Sequence, residues 1–345
     1  MSDFDALLFL SFGGPEGPDD VMPFLRNVTR GRGVPDERLE AVAEHYQHFG
    51  GMSPINAQNR ALIAALRADF AASGIDLPIY WGNRNWKPYV ADAVRTMRDN
   101  KVRRALVFAT SATSSFSGCR QYRNDMAQAR AVAGEGAPEL VKLRHYFDHP
   151  GFIAANVDAV RAALDSLPSS VRDGARLVFT AHSIPEAMNE SAGPERNGLY
   201  QKQHYETARL VSALVLGADA PFDLAWQSRS GPPSVPWLEP DVNDHLKALA
   251  ADGVRAVVVC PTGFVSDHVE VIWDLDTEAR ETAQSLGLSF VRAATAGTHP
   301  GFVAAVRELV QEQLDGAEPK SLGSLGLCGI ACPDGCCPSP RRPAA

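Results

Sequence analysis

Short apolar runs alternate with amphipathic stretches along nearly the whole chain. Runs rich in Val, Leu, Ala and Phe are typical of strands buried on both faces of a parallel sheet, whereas apolar residues recurring about every 3.6 positions predict helices. The predicted strands are residues 6–12, 78–82, 105–109, 140–144, 177–181, 222–226, 256–260 and 289–292. The predicted helices are residues 36–49, 57–73, 89–100, 121–133, 152–167, 201–216, 242–252, 268–286 and 302–314. This alternation predicts an α/β fold in which helices cover both faces of parallel sheets.

Turn-forming residues divide the chain at residues 148–151, Asp-His-Pro-Gly, between the fourth and fifth predicted strands. This break leaves a four-stranded parallel sheet on each side. After Gly316 the composition shifts to Pro, Gly, Ser and Cys, and the periodicity ends. We therefore expect an N-terminal domain at residues 1–148, a C-terminal domain at residues 149–316 and a short Cys-rich tail at residues 317–345.

Composition and charge exclude several classes of protein. The chain has 345 residues, a net charge of -8 and a pI of about 5.6. It has no run rich in Lys and Arg, which argues against a nucleic-acid binder, and no Walker or G-x-G-x-x-G pattern, which argues against a nucleotide site. The apolar run at residues 6–12 is too short for a signal peptide or a membrane span. We therefore expect a cytoplasmic protein whose cysteines are thiols or metal ligands rather than disulfides.

A histidine follows the predicted strand at residues 177–181. His182 lies in a turn closed by Ser183 and Pro185. Ligands of open α/β sheets gather beyond the carboxyl ends of the strands, so this imidazole lies where chemistry usually occurs. A packing role is the alternative for a single histidine of this kind.

An acidic row follows the strand at residues 256–260. Glu270, Asp274 and Glu278 are spaced four residues apart, which places them on one face of a helix. The row is either a solvated helix face or a track for cations. Imidazole and carboxylate together suit Fe²⁺ and related ions, so His182 facing Glu270 across a cleft would form a metal and proton-transfer pair.

The tail contains four of the six cysteines: Cys328, Cys332, Cys336 and Cys337. Four thiolates suit a [2Fe–2S] cluster or a tetrahedral Zn²⁺ ion. The adjacent pair at 336 and 337 can supply two ligands only where the backbone turns sharply, which Gly335 and Pro338 permit. The spacing alone leaves iron–sulfur and zinc equally open, with reactive or disordered thiols as a third interpretation.

Five segments taken together resemble the ferrochelatase family, in order, over residues 5 to about 315. They are FGGP at 12–15, GGMSP at 50–54, AHSIP at 181–185, WQS at 226–228 and GFVSDHVE at 263–270. The combination is specific, although no single segment would be. The resemblance implies two Rossmann-like domains with a porphyrin in the cleft between them. It also implies insertion of Fe²⁺, with His182 and Glu270 as the catalytic and metal-site pair and with Asp274 and Glu278 as a further acidic row that carries metal or protons.

The resemblance also implies a set of porphyrin contacts. Ser53 and Tyr122 match positions whose hydroxyls contact propionates; their alternative roles are a turn-closing serine and a helix-surface tyrosine. Some bacterial coproporphyrin ferrochelatases have Tyr where this chain has Phe12, so axial oxygen ligation is not expected here. Two positions that carry porphyrin-contacting arginines hold Thr29 and His45, and Arg30 could replace the first by a shift of one residue. The expected porphyrin-binding residues are therefore Phe12, Arg30, His45, Tyr46, Ser53 and Tyr122.

Coproporphyrin III is the expected substrate. Its four propionates make it independent of a membrane, and residues 22–35 contain no apolar segment for docking on a bilayer. Protoporphyrin IX is the alternative porphyrin, and a cobalt or nickel chelatase or a non-catalytic tetrapyrrole or haem carrier are the alternative functions. A carrier needs neither a proton acceptor nor a metal path, so His182 and the acidic row argue against it.

Some ferrochelatases, including actinobacterial ones, carry a C-terminal [2Fe–2S] cluster, and the resemblance implies one here. In some of them one ligand comes from the interior, but residues 151–160 contain no cysteine. All four ligands are therefore expected from the tail, with Cys119 as the one interior substitute and Cys260 as a buried packing residue. The expected partners are a porphyrin, Fe²⁺ and haem-pathway enzymes that hand over the porphyrin, and the expected oligomeric state is a monomer.

Overall fold

Two parallel four-stranded sheets form the framework of the computed structural model, which describes residues 3–330 and 332–339. The first sheet has the order β2-β1-β3-β4 and contains β1 (Ala6–Ser11), β2 (Ile79–Asn83), β3 (Arg104–Ala109) and β4 (Glu139–Lys142). The second has the order β6-β5-β7-β8 and contains β5 (Arg176–His182), β6 (Phe222–Gln227), β7 (Ala256–Cys260) and β8 (Ser289–Arg292). All strand pairs are parallel. The predicted α/β fold with four strands in each sheet is confirmed.

Helices connect the strands and cover both sheets. They are α1 (Val21–Val28), α2 (Asp36–His48), α3 (Ile55–Ala72), α4 (Val90–Asp99), α5 (Gln121–Ala133), α6 (Pro150–Ser166), α7 (Ser169–Arg172), α8 (Glu186–Glu190), α9 (Leu199–Leu216), α10 (Val242–Ala251), α11 (Val269–Val271), α12 (Arg280–Ser285) and α13 (Pro300–Leu314). The pattern did not predict α1, which is short and contains Pro23 in its first turn, where proline is tolerated. Within the described part of the chain, no helix is long and apolar enough to span a bilayer.

The predicted helix at residues 268–286 has an irregular middle. Between α11 and α12, residues Ile272–Ala279 form a π-helix. A π-helix is wider than an α-helix because its hydrogen bonds reach one residue further, and such segments are rare and frequently occur at functional sites. The apolar pattern did not predict this segment, which carries Asp274 and Glu278.

Helix α13, the last helix, joins the two halves of the molecule. The first half contains β1 to β4, and the second half contains β5 to β8. Although α13 follows the second sheet in the chain, its residue Phe302 packs with Phe108 and Tyr146 in the core that covers the first sheet. That core therefore draws residues from both sides of the proposed boundary at residues 148 and 149, and the boundary itself stays a prediction.

Helices α6 and α13 begin with the same four residues, His-Pro-Gly-Phe, at 149–152 and 299–302. In each helix the histidine Nδ1 accepts a hydrogen bond from the backbone N–H of the glycine. The two helices touch at these glycines, since a Cβ built on Gly151 would lie 2.1 Å from the carbonyl oxygen of Gly301.

Gly151→Ala is expected to destabilise the protein by about 2 kcal/mol or more, because backbone cannot yield as a flexible side chain can. Gly174→Ala is the control, since a Cβ at Gly174 meets nothing within 4 Å. Urea unfolding followed by circular dichroism measures both variants. Equal stability of the two variants would contradict the contact.

Candidate active site

His182 is the last residue of β5, and its ring orientation is set by a local hydrogen bond. The ring Nδ1 is hydrogen-bonded to the Ser183 carbonyl oxygen. A carbonyl only accepts, so Nδ1 carries the hydrogen and the neutral ring keeps a lone pair on Nε2. The backbone carbonyl of His182 also accepts a hydrogen bond of 2.8 Å from the Tyr200 hydroxyl, which ties this strand end to α9.

Glu270 faces that lone pair. Its Oε2 lies 3.6 Å from His182 Nε2. The Glu270 side chain is 44% exposed and the His182 side chain is 35% exposed. Both atoms are electron-pair donors in the neutral imidazole and the ionised carboxylate, so they have no hydrogen between them to share. The gap therefore suits a proton or a metal cation, which both atoms can bind.

Gly263 allows the loop after β7 to cross the end of β5. Its N–H donates to the Thr180 carbonyl at 3.1 Å, and a Cβ at this position would lie 2.6 Å from the Cβ of Ala181. Any larger residue would push the loop away from β5. This close approach brings Glu270, seven residues further along the chain, opposite His182.

Asp274 lies on the π-helix between Glu270 and Glu278. Burial is the main reason that its pKa rises to about 7, and the charges of the two glutamates raise it further. Hydrogen bonds from the Ser228 hydroxyl and from Gln227 Nε2, the latter at 3.3 Å, act in the opposite direction. A carboxyl group with this pKa can take up and release a proton near neutral pH.

Asp274 should make the protein less stable as the pH rises. Its folded-state pKa of about 7 lies above the ordinary value of 3.8, so the folded protein binds this proton more tightly than the unfolded chain does. The resulting stabilisation is fully present below pH 4 and is lost as the pH rises through about 7. Asp274→Asn is expected to remove this loss, on the order of 4 kcal/mol across the window.

Urea unfolding between pH 4.5 and 8 at constant ionic strength measures the effect. The exposed Asp219→Asn serves as the control and should retain the wild-type pH dependence. If the stability of Asp274→Asn fell with pH as steeply as that of the wild type, the burial of this carboxyl would not have the predicted consequence.

Helices α1 and α2 form a wall that packs against the segment carrying Glu270 and the π-helix. Phe24 of α1 and Tyr46 of α2 share a core with Val269, which directly precedes Glu270. The His45 ring stacks on Trp273 with a centroid distance of 3.9 Å and an interplanar angle of 9°. Burial, and secondly the charge of Glu270, raise the pKa of Tyr46 well above its ordinary value. Tyr46 therefore lies near Glu270, and His45 contacts the π-helix that follows it.

The other expected porphyrin-binding residues are distributed over the first half. Phe12 packs against Phe24 with a centroid distance of 6.4 Å, and Arg30 is exposed. Ser53 is buried and packs against Gly14. A Cβ built on Gly14 would lie 2.6 Å from the Cβ of Ser53. Tyr122 is buried rather than on the helix surface, and the Arg84 guanidinium lies 4.0 Å from its ring centroid. Their roles toward a porphyrin stay predictions.

Sequence reasoning did not identify the residues that hold Asp274. The segment WQS at 226–228 contributes to the family resemblance, which assigns no role to Gln227 or Ser228. Ser228 has a φ of +61°, an uncommon backbone conformation for a residue other than glycine. No local pattern reveals this, because the partner is 46 positions away in the chain.

Five thiols gather where the tail meets the first half, and we call them the thiol group: Cys119, Cys328, Cys332, Cys336 and Cys337. The Sγ atoms of Cys336 and Cys337 are 3.7 Å apart. A hydrogen bond from Cys332 lowers the pKa of Cys119. Cys328 Sγ lies 3.1 Å from the Ser114 hydroxyl. Across residues 3–330 and 332–339, no three His, Cys, Asp or Glu side chains already converge in a group able to hold a metal ion. Cys260 is buried elsewhere, as expected.

The tail contacts both halves of the molecule. The contacts are Ser321 Oγ to Asp148 Oδ2 at 2.6 Å, Ser324 N to Glu206 Oε1 at 2.8 Å, Arg120 Nη2 to the Cys336 carbonyl at 2.7 Å and Gly193 N to Cys337 Sγ at 3.2 Å. The thiol group therefore lies at a junction between the two halves rather than on a free terminus.

The fold is that of a chelatase. SirB from Bacillus subtilis with Fe³⁺ has a similar structure, with a TM-score of 0.51 and 13% identity over 90% of this chain and 96% of that one. The sirohydrochlorin chelatase SirB from Bacillus subtilis subspecies spizizenii in complex with cobalt has the same TM-score of 0.51 at 11% identity, with the same coverage of 90% and 96%. At these identities the likeness concerns the fold alone.

The chain belongs to the ferrochelatase family, whose sequence model matches residues 4–314. A Nocardia farcinica protein named coproporphyrin III ferrochelatase is 59% identical over 348 residues, which cover 99% of this chain and 98% of that protein. Proteins of the same name from Streptomyces coelicolor and Mycolicibacterium smegmatis are 56% and 59% identical. The alignment with the Streptomyces coelicolor protein covers 100% of this chain and 96% of that protein, and the alignment with the Mycolicibacterium smegmatis protein covers 92% of each.

Proposed function

We propose that the protein inserts Fe²⁺ into coproporphyrin III to give Fe-coproporphyrin III, or coprohaem, in haem biosynthesis. The observation that carries the proposal is the Nε2 lone pair of His182 facing the Glu270 carboxylate at 3.6 Å, with the half-buried Asp274 one turn further along from Glu270. The names of relatives at 56–59% identity support the porphyrin.

The reaction releases two protons, because both pyrrole N–H groups of the free porphyrin must lose hydrogen as Fe²⁺ enters. His182 Nε2 accepts a pyrrole proton, and the Glu270 carboxylate stabilises the imidazolium that forms. Asp274, with a pKa of about 7, receives protons from this pair, and the exposed Glu278 releases them to solvent. Phe12, His45 and Tyr46 line the wall against which the macrocycle lies.

Anaerobic incubation with Fe²⁺ and a porphyrin, followed through the Soret and Q bands, tests the function. Metalation of coproporphyrin III faster than of protoporphyrin IX is the expected result. The reverse order would overturn the substrate but not the reaction. Porphyrin binding without any metalation would favour the carrier alternative.

We also propose that the thiol group holds a [2Fe–2S] cluster, which supplies one-electron redox chemistry when bound. Two thiolates on one tetrahedral metal with bonds of ~2.3 Å lie about 3.8 Å apart, close to the 3.7 Å between Cys336 and Cys337. The same spacing also fits Zn²⁺, and the family resemblance favours the cluster. Cys328 and Cys332 complete the expected ligand set, and Cys119, hydrogen-bonded to Cys332, is positioned to replace Cys328.

A cytoplasmic location, a monomeric state and receipt of the porphyrin from haem-pathway enzymes belong to the same proposal. They rest on the acidic composition, on the short apolar segments and on the four propionates of the proposed substrate.

A further inference from the structure

Lys142, the last residue of β4, is a buried cation without a carboxylate partner. Its side chain is 7% exposed, and its Nζ donates to the Leu143 carbonyl at 3.2 Å. No Asp or Glu of residues 3–330 and 332–339 forms an ion pair with it. A buried ammonium is costly unless a negative charge faces it, so this position calls for an anion.

The Cys-rich tail lies against the chain just after Lys142, where the His145 backbone N–H donates to the Cys328 carbonyl at 2.9 Å. Burial, and with it the charge of Arg123, lowers the pKa of Lys142, whereas negative charge on Cys119, Cys332 and Cys328 raises it. None of the described carboxylates has a comparable influence on this lysine. The interaction spans the first half and the tail, because Lys142 is on a strand and two of the three thiols follow residue 316.

Arg123 is a second cation, and it contacts the thiol group. Arg123 Nη2 is 3.8 Å from Cys332 Sγ and donates to the Gly329 carbonyl at 3.1 Å. Its Nε is buried without a hydrogen-bond acceptor, and the described residues include no carboxylate paired with this guanidinium. Lys142 and Arg123 thus place two positive charges near sulfur atoms. The uncharged sulfur of a neutral thiol would not compensate the desolvation cost of either charge.

We propose that Lys142 and Arg123 are positioning residues that neutralise a negatively charged [2Fe–2S] centre and set its reduction potential. This inference rests on the proposed cluster. Two ferric irons, two sulfides and four thiolates have a net charge of -2, and uptake of one electron from an external reductant changes one iron to ferrous and the net charge to -3. Nearby cations stabilise the more negative form, so they raise the reduction potential.

Lys142→Met removes one charge while keeping an unbranched side chain. The ratio of oxidised to reduced cluster at a fixed potential is expected to rise at least tenfold, which is a shift of about 59 mV to more negative potential for one electron. The measurement is an anaerobic titration of the full-length protein with dithionite and redox mediators, followed by visible absorbance and by electron paramagnetic resonance of the reduced state.

Three further variants make the result specific. Arg123→Gln should shift the ratio in the same direction, and it gives an independent measurement where Lys142→Met does not fold. Lys142→Arg keeps the charge and should stay within threefold of the wild type. Lys320→Met removes an exposed tail lysine that pairs with Glu308 at 2.7 Å, and should leave the ratio unchanged.

The outcomes separate the two proposals. Wild-type protein without iron, sulfide and visible absorbance would overturn the cluster and, with it, the role of both cations. Wild-type protein with a cluster whose potential is the same in Lys142→Met and Arg123→Gln would overturn the inference alone. A shift of equal size in Lys320→Met would also overturn it, because the effect would then follow net charge rather than buried position.

Discussion

Replacing His182 by alanine is expected to lower the rate of iron insertion by about a thousandfold, within the range contributed by a general base. The variant loses the only described Nε2 lone pair that faces Glu270, whereas β5 and its backbone contacts remain. Affinity for the porphyrin should change little, because the wall formed by α1 and α2 is intact. The measurement combines anaerobic metalation kinetics with porphyrin binding followed by fluorescence quenching.

Two companion variants sharpen this prediction. Glu270→Gln keeps the shape of the side chain but loses the charge, and we expect a rate loss of about a hundredfold. His245→Ala is the matched control, since His245 pairs with Asp223 at 3.2 Å near the amino end of β6, the opposite end from the site. His182→Ala retaining more than a tenth of the wild-type rate would remove the imidazole from the mechanism.

Cys332→Ser is expected to convert a reddish protein into a colourless one. Cys332 is hydrogen-bonded to Cys119, and its Sγ lies 3.8 Å from Arg123 Nη2. Loss of one of four thiolates should release the cluster, and with it the binding free energy that holds the tail at the junction of the two halves. Visible absorbance, iron and acid-labile sulfide measure the cluster, and thermal unfolding measures the stability.

Cys260→Ala provides the control, since Cys260 is a buried cysteine outside the thiol group and its loss should not change the colour. Cys119→Ser and Cys328→Ser identify the fourth ligand, because only the variant that removes a ligand should lose absorbance. A colourless wild-type protein that contains zinc would contradict the iron–sulfur proposal and favour the alternative that the cysteine spacing leaves open.

The strands were predictable because their signal is local. Central strands of a parallel sheet are buried on both faces, so they appear as continuous apolar runs, and β7 was predicted with the bounds that the structure has. The π-helix was not predictable in this way. Its hydrogen bonds reach one residue further than those of an α-helix, but the apolar positions of Ile272–Ala279 still recur at nearly the same interval.

The site was only partly predictable. The resemblance singled out His182 and Glu270, and the positions of two strand ends placed them at one sheet edge. Which nitrogen of His182 faces Glu270 depends on the Ser183 carbonyl, and the raised pKa of Asp274 depends on burial that outweighs the hydrogen bonds from Ser228 and Gln227. These are contacts between loops, and residue spacing does not encode them.

The sequence by itself determined the α/β architecture and the family, because burial and residue chemistry act along short stretches of chain, and it predicts the metal-binding residues. The tertiary structure alone decided how α13 covers the first sheet and which charges surround the sulfur atoms. Arg123 and Cys332 are 209 positions apart, and Lys142 has no local feature that distinguishes it from a surface lysine. Charge neutralisation depends on distance in space, and only folding sets that distance.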